Sequence, residues 1–484
     1  MANGVSCANW FISDRFRAAC SSSVYFGRKS PPTVDLDVHS TAFLSSAFPA
    51  LLVRVYFDYA ERRARLAQTL HLTDEILIVG SGNLLPKPEL SEQVLPFIAH
   101  QEYYYLTGIA DAFGGIVAVD PHDQKGGRGD AGWVSFVPQL TESDQLWEGR
   151  QQLPGEPLGK FAAWFAARKK RPVILLGSTV PGIKADEQLT TATREIYLHS
   201  RRLKEPAEID LMRHCAYKTA AGYAAVQPML RPGFSERRIQ VEIEAEYFRR
   251  GATKAGYDTV VGSGPNSALL HAFPTQRAFK EGDFILIDSG AEVDRYVIDV
   301  TRTYVAGRPT AFQRDLFQIV VSTQNRAIAR CQPGVEWKDI HFSAATDLVA
   351  GLVDMGIMRG DPSSLVEQAA HTLFFPHGIG HMVGLGVRDA SGREPGRPKD
   401  SRPCLEHLRM DLILRSSYIV TIEPGLYFVP ALLRNPFHRE RFHDCVNWSM
   451  VDQHLDIGGV RIEDTILVNH GVPENLTRMI PKTI

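Results

Sequence analysis

Four acidic residues in this chain stand inside apolar, strand-like runs, where an ionised carboxylate is costly unless something pairs with it. Asp288 lies in FILIDSG (284–290) and Asp299 in YVIDVTRTY (296–304). Glu423 lies in YIVTIEPG (418–425) and Glu463 in GVRIEDTILV (459–468). If the first two runs pair as a hairpin turning between Val293 and Asp294, Asp288 falls directly opposite Asp299. Like charges facing each other across a ladder destabilise it, and a divalent cation between them removes that repulsion. One carboxylate in a strand can simply be ion-paired, as Arg461 could pair with Glu463 two residues on, on the same face. Four carboxylates on separate strand segments call for a common counter-charge.

His381 supplies the nitrogen donor. It sits in PHGIGHMVGLG (376–386), where four glycines exclude a helix and indicate a close-packed turn or strand. Asp288, Asp299, His381, Glu423 and Glu463 make a hard, oxygen-rich set of formal charge −4, which two divalent ions would balance. Such a set favours Mn²⁺, with Co²⁺ or Zn²⁺ as alternatives, over copper or iron–sulfur chemistry. Two ions held about 3.5–4 Å apart can lower the pKa of a bridging water and clamp a tetrahedral intermediate. The chemistry indicated is hydrolysis of a polarised carbonyl by a metal-bridging hydroxide.

The elements that must position these donors read as a two-part α/β chain. At 484 residues the chain is longer than one hydrophobic core usually serves. Residues 1–40 are expected to be an N-terminal extension, 41–195 a smaller α/β domain, and 196–484 the domain that carries the donors. In the first part Tyr56–Leu72 reads as an amphipathic helix, and Glu75–Gly80 and Val173–Gly177 as short buried strands. No catalytic constellation appears there. From about residue 200 two helix pairs recur, each broken by Pro-Gly, at Pro232-Gly233 and Pro333-Gly334. Ser235 is placed to cap one of these helices, and Thr310 with Gln313 to form a capping box on another. The recurrence points to an internally duplicated α/β domain.

Composition narrows the classes. A formal charge of −2 with 44% apolar and 22% charged residues excludes the basic field of a nucleic-acid binder. No apolar run reaches membrane-spanning length. Six cysteines without close spacing fit neither a zinc ribbon nor a disulfide framework, and suit a reducing, cytoplasmic compartment. Residues 1–34 carry one acid against four basic residues among serines, a faint likeness to a mitochondrial transit peptide.

With those residues in hand, the chain resembles the pita-bread metallopeptidases, prolidase (Xaa-Pro dipeptidase) and aminopeptidase P, over roughly residues 50–480. The spacing of eleven between Asp288 and Asp299 and the segments HGIGH, TIEPGLYF and GGVRIEDTILV carry the likeness. So do TVVGSGPNSALLH (259–271) and, in the smaller domain, QEYYYLTGI (101–109). The resemblance implies a pita-bread catalytic domain whose five donors hold two Mn²⁺ ions, with Glu423 also shuttling protons. It implies that His271 and His377 contact a proline-containing peptide and that Arg461 orients Glu463. Arg409, fourteen residues before Glu423, falls where prolidases carry an arginine for the dipeptide carboxylate, which favours the dipeptidase over the aminopeptidase. A homodimer is implied as well.

Two positions depart from the family. Seven residues after His381, where relatives usually carry histidine in VHD, this chain has Val387-Arg388-Asp389. Ala272 follows His271 where many relatives have an aromatic residue. Arginine can donate hydrogen bonds but cannot give up its proton at neutral pH. Arg388 therefore either keeps an electrostatic role, redirects specificity, or marks a protein that retains metal and has lost peptidase activity.

Overall fold

A computed structural model describes residues 56–88, 93–123, 132–168 and 170–484. The expected N-terminal extension lies outside the described residues. The helix expected over 56–72 is α1 (Tyr59–Leu70), capped by the Asp58 side chain. β1 (Ile76–Gly80) is buried along its whole length and is followed by α2 (Gln101–Thr107), β2 (Ile116–Val119) and β3 (Trp133–Val137). α3 (Glu142–Glu148), β4 (Glu156–Pro157), α4 (Phe161–Ala166) and β5 (Val173–Gly177) complete this part. The sheet runs β4-β3-β2-β1-β5, with β1 and β5 parallel. α5 (Glu187–Arg202) then leads out of it.

The two helix pairs form as read. α6 (Pro206–Val226) and α7 (Glu236–Arg249) meet across Pro232-Gly233, and the Ser235 hydroxyl accepts from Arg238 N–H at the start of α7. β6 (Lys254–Ala255) and β7 (Val260–Ser263) follow, then β8 (Phe284–Asp288), β9 (Ala291–Val293), β10 (Tyr296–Val297) and β11 (Thr301–Val305). α8 (Ala311–Ala329) opens on the Thr310–Gln313 capping box and packs against α9 (Trp337–Asp354). The closing strands are β12 (Gly392–Arg393), β13 (Met410–Asp411), β14 (Ile419–Ile422), β15 (Gly425–Tyr427), β16 (Gly459–Arg461) and β17 (Asp464–Leu467). Each helix pair thus covers strands that supply donors. Among the described residues no helix is long and apolar enough to cross a membrane.

The hairpin register differs from the sequence reading. Asp294 and Arg295 both take positive φ, 48° and 68°, so the turn is a two-residue one and Val293 pairs with Tyr296. That moves the register by two residues and sets Asp288 opposite Thr301 instead of Asp299. A shift of two preserves the face, so both aspartates still point the same way, on a diagonal. The ladder breaks between β8 and β9, where a Cβ on Gly290 would collide with the Ile298 carbonyl oxygen. Glycine is what allows this approach.

A buried ion cluster ties α5 to the donor region. The Asp389 carboxylate meets Arg201 at 2.6 Å and Lys204 at 2.8 Å, all three side chains at most 2% exposed. It also accepts from the N–H groups of Leu385 and Ala390. Removing one member of a buried pair leaves the other uncompensated. Asp389→Ala is expected to cost about 3–5 kcal/mol in urea denaturation, against under ~1 kcal/mol for an exposed pair such as Lys160–Glu156.

Candidate metal centre and substrate cavity

All four carboxylates sit at strand ends or interruptions. Asp288 is the last residue of β8, and Asp299 lies in the gap between β10 and β11. Glu423 follows β14 directly, and Glu463 fills the gap between β16 and β17. The HGIGH segment runs irregularly beside β14: Thr421 N–H donates to the His381 carbonyl and Glu423 N–H to the Ile379 carbonyl, each at 2.8 Å. A Cβ on Gly380 would strike the Thr421 carbonyl oxygen, so glycine brings this chain close enough to present His381. The Nδ1–H of His381 donates to the Met382 carbonyl at 2.9 Å, which leaves Nε2 as the free donor atom. That Nε2 lies 3.4 Å from Asp299 and 3.9 Å from Glu423. Asp299, His381 and Glu463 each offer a ligand atom within 4.8 Å of the others.

Arg461 organises the other side of the cluster. Its Nη2 donates to Asp288 at 2.7 Å, its Nε to the Thr301 hydroxyl at 3.0 Å, and its Nη1 to the Tyr427 hydroxyl at 3.2 Å. Thr301 in turn donates to Glu463 at 2.8 Å. The guanidinium therefore holds Asp288 directly and reaches Glu463 only through Thr301, unlike the direct pairing expected on the strand face. Glu463 lies in the gap after β16, so the alternation that would put it on the same strand face as Arg461 does not carry across to it. Tyr257 donates to the second Asp288 oxygen at 2.8 Å. His377 donates from Nδ1 to the Gly378 carbonyl, so its Nε2 accepts from the Tyr427 hydroxyl at 2.9 Å. Tyr257, Thr301 and Tyr427 were not singled out from the sequence. Thr301 and Tyr427 lie within motifs already read, but only the fold shows their reach.

The charge balance is one-sided. Burial, with Asp299 adding to it and Arg461 opposing, lifts the Asp288 carboxyl above its ordinary value. Burial and the three neighbouring carboxylates push Glu463 far up. Glu423, chiefly by burial, rises to about 7. Burial also drives His377 down to about 3, with Arg461 adding to it, so that imidazole is neutral. For His381 burial acts the same way, but Asp299 and Glu423 outweigh it and raise its pKa. One guanidinium cannot neutralise four buried carboxylates. The donor set and the oriented imidazole suit divalent cations, and Asp299, His381 and Glu463 lie close enough to share one, with Asp288 and Glu423 beside them.

These groups line one cavity of about 610 Å³. Arg461 is buried in its wall, His377 is half-buried, and His271, Arg388 and Arg409 are exposed on its lining. The exposed Phe273 is also part of it, beside Ala272. Every residue singled out from the sequence for metal or substrate thus borders the same space. His377 differs in that both its ring nitrogens are already engaged within the chain.

A buried, oriented carboxylate–imidazole cluster on this α/β frame defines a metallopeptidase, and the model of Metallopeptidase family M24 matches residues 210–470. The chain belongs to that family. It is 27% identical to a probable Xaa-Pro aminopeptidase of Tuber melanosporum, over 81% of this chain and 86% of that one. Its fold is that of Pseudomonas aeruginosa aminopeptidase PepP, with a TM-score of 0.70 at 23% identity, covering 89% and 97% of the two chains. Escherichia coli aminopeptidase P, solved with the inhibitor Pro-Leu, gives a TM-score of 0.70 at 23% identity, covering 88% and 96%. The architecture is an N-terminal α/β domain followed by the pita-bread domain.

A carboxyl raised above its unfolded value contributes stability that is present below the unfolded pKa and lost as pH rises through the folded one. For Glu423 that window runs from the ordinary 4.5 up to about 7. Chelator-treated protein should therefore melt lower at pH 8 than at pH 5, by roughly 5 °C. Saturating Mn²⁺ should reverse the loss, and more strongly at pH 8, because binding displaces the retained protons. Differential scanning calorimetry at the two pH values checks both.

Proposed function

We propose that this chain is a two-metal Xaa-Pro aminopeptidase that releases the residue preceding proline from a short peptide. The single observation that supports the reading is the convergence of Asp288, Asp299, His381, Glu423 and Glu463 on one cavity of about 610 Å³. Bound divalent ions would polarise the scissile carbonyl and acidify a water. Glu423, on the cavity lining beside His381, is placed to take the proton from that water and return it to the proline nitrogen. Arg461 aims Asp288 and opposes the rise of its pKa, while the neutral His377–Tyr427 pair fixes the guanidinium from the other side. His271, which makes no hydrogen bond among the described residues, is free to meet the substrate.

The sequence places the dipeptidase first, on Arg409. The names of the relatives favour the aminopeptidase instead. Arg409 does border the metal cavity, and that supports Xaa-Pro dipeptides as the second reading. Mn²⁺ as the metal, a homodimer and a cytoplasmic location belong to the same proposal.

The test is hydrolysis of Ala-Pro-Ala amide and of Ala-Pro by chelator-stripped protein reloaded with Mn²⁺. Preferred cleavage of the tripeptide at the bond before proline is expected, and Glu423→Gln should lower kcat by about 10²–10⁴-fold. Faster cleavage of Ala-Pro would establish the dipeptidase. Firmly bound metal without turnover of either peptide would identify a protein that has kept the centre and changed its use.

A further inference from the structure

The wall that carries His271 also carries an aromatic ring with little cover. From His271 to Pro274 exposed and buried residues alternate along the chain. His271 and Phe273 therefore share one face, while Ala272 and Pro274 turn the other way. Ala272 is buried against Val260, Leu286 and Tyr427, so the aromatic group of this segment comes one residue later, on the face of His271. Phe273 lies on the cavity lining and is 77% exposed. Tyr257, the other phenyl ring on that lining, is committed to Asp288 through its hydroxyl. A bare ring beside a substrate cavity is stabilised when apolar surface covers it.

The segment is fixed from outside the cavity. Glu236, the first residue of α7, is wholly buried. Its carboxylate accepts from the Ser263 N–H and hydroxyl at 2.8 Å each, and from the Asn266 amide at 3.0 Å. It also accepts from the Thr275 N–H at 3.0 Å and the Thr275 hydroxyl at 2.6 Å. Ser263 and Thr275 flank the 264–274 loop, so one carboxylate holds both of its ends. Gly459 N–H donates to the Ser267 hydroxyl at 2.9 Å, which fastens the loop to β16 as well. A ring on so anchored a backbone needs little further ordering when a ligand arrives. Asp299, His381 and Glu463 are at most 5% exposed. The reacting bond of a bound peptide would therefore lie at the buried end of the cavity, and Phe273 stands at its solvent end.

We propose that Phe273 is a specificity-determining residue whose ring covers an apolar side chain next to proline, so that the enzyme selects peptides with an aromatic or large aliphatic residue there. The inference rests on the proline-peptidase reading and names its substrate class. The apolar side chain belongs either to the residue released or to the one that follows proline. It meets the ring in the same way from either position, whereas a serine side chain offers nothing to cover it.

The test is kcat/KM of Mn²⁺-loaded protein on two pairs of peptides. One pair is Phe-Pro-Ala amide against Ser-Pro-Ala amide, the other Ala-Pro-Phe amide against Ala-Pro-Ser amide. In at least one pair the phenylalanine peptide should be preferred about tenfold, the scale of one aromatic contact. The pair that shows the preference identifies the position. Phe273→Ala should bring that ratio to within about twofold, and Phe273→Trp should keep it. A merely structural role for the ring would slow all four peptides alike and leave the ratio standing. No preference in either pair, or a preference that outlasts Phe273→Ala, overturns the proposal and leaves the peptidase. If none of the four is cleaved, their affinities are measured by titration calorimetry on the same protein. A tenfold ratio there that Phe273→Ala abolishes keeps the aromatic wall and removes the peptidase, and equal or absent binding removes both.

Discussion

Arg461 is a single positive charge set among four buried carboxylates, and the rest of the centre is arranged around that shortage. Its guanidinium reaches Asp288 directly, Glu463 through Thr301 and His377 through Tyr427. No other guanidinium pairs with these acids among the described residues. Asp288, Glu423 and Glu463 therefore keep elevated pKa values in the bare protein. Burial of this kind is unfavourable unless cations complete it, so folding leaves the site in need of metal.

The framework tolerates that unfavourable cluster because it is well packed elsewhere. α6 and α7 cover one set of strands and α8 and α9 the other, with side chains such as Tyr223, Ile287, Trp337 and Val420 almost wholly buried. Each such aliphatic or aromatic side chain contributes roughly 1.5–3 kcal/mol. The carboxylates occupy interruptions in this scaffold, at the ends of β8 and β14 and in the gaps before β11 and β17. An interruption releases a side chain from strict alternation without exposing the strands on either side, so donors from distant segments can converge. The Asp389 cluster does similar work for the wall bearing Arg388, because it fastens that loop to α5.

Much of this was legible in the residues themselves. The four carboxylates were recognisable because charged groups inside apolar runs violate the ordinary pattern, and a violation repeated on several strands has few explanations; His381 joined them from its glycine-rich segment. Ser235 and the Thr310–Gln313 box announced their helices through local hydrogen bonding, which depends on a few neighbouring residues. β5 was readable to its bounds because its apolar run ends in glycine. The order of the chain thus determined the class of chemistry, the cation requirement and the helix pairs.

Tertiary structure decided the rest. The Asp288–Asp299 geometry came out on a diagonal because Asp294 and Arg295 adopt left-handed conformations that lengthened the hairpin's reach by one pair. Arg461 took Asp288 as its partner, with Thr301 between it and Glu463, because Glu463 lies in the break between β16 and β17 and not on the strand face of Arg461. Tyr257, in the loop between β6 and β7, and Tyr427, in β15, gave no signal, since a tyrosine is ordinary in either place until a carboxylate or imidazole is folded against its hydroxyl. That Arg388 and Arg409 border the cavity is likewise a fact of folding. Local sequence determines which groups are out of place, because that cost is paid residue by residue. Which groups meet depends on register and packing between distant segments, as for Arg461 and Asp288, 173 residues apart.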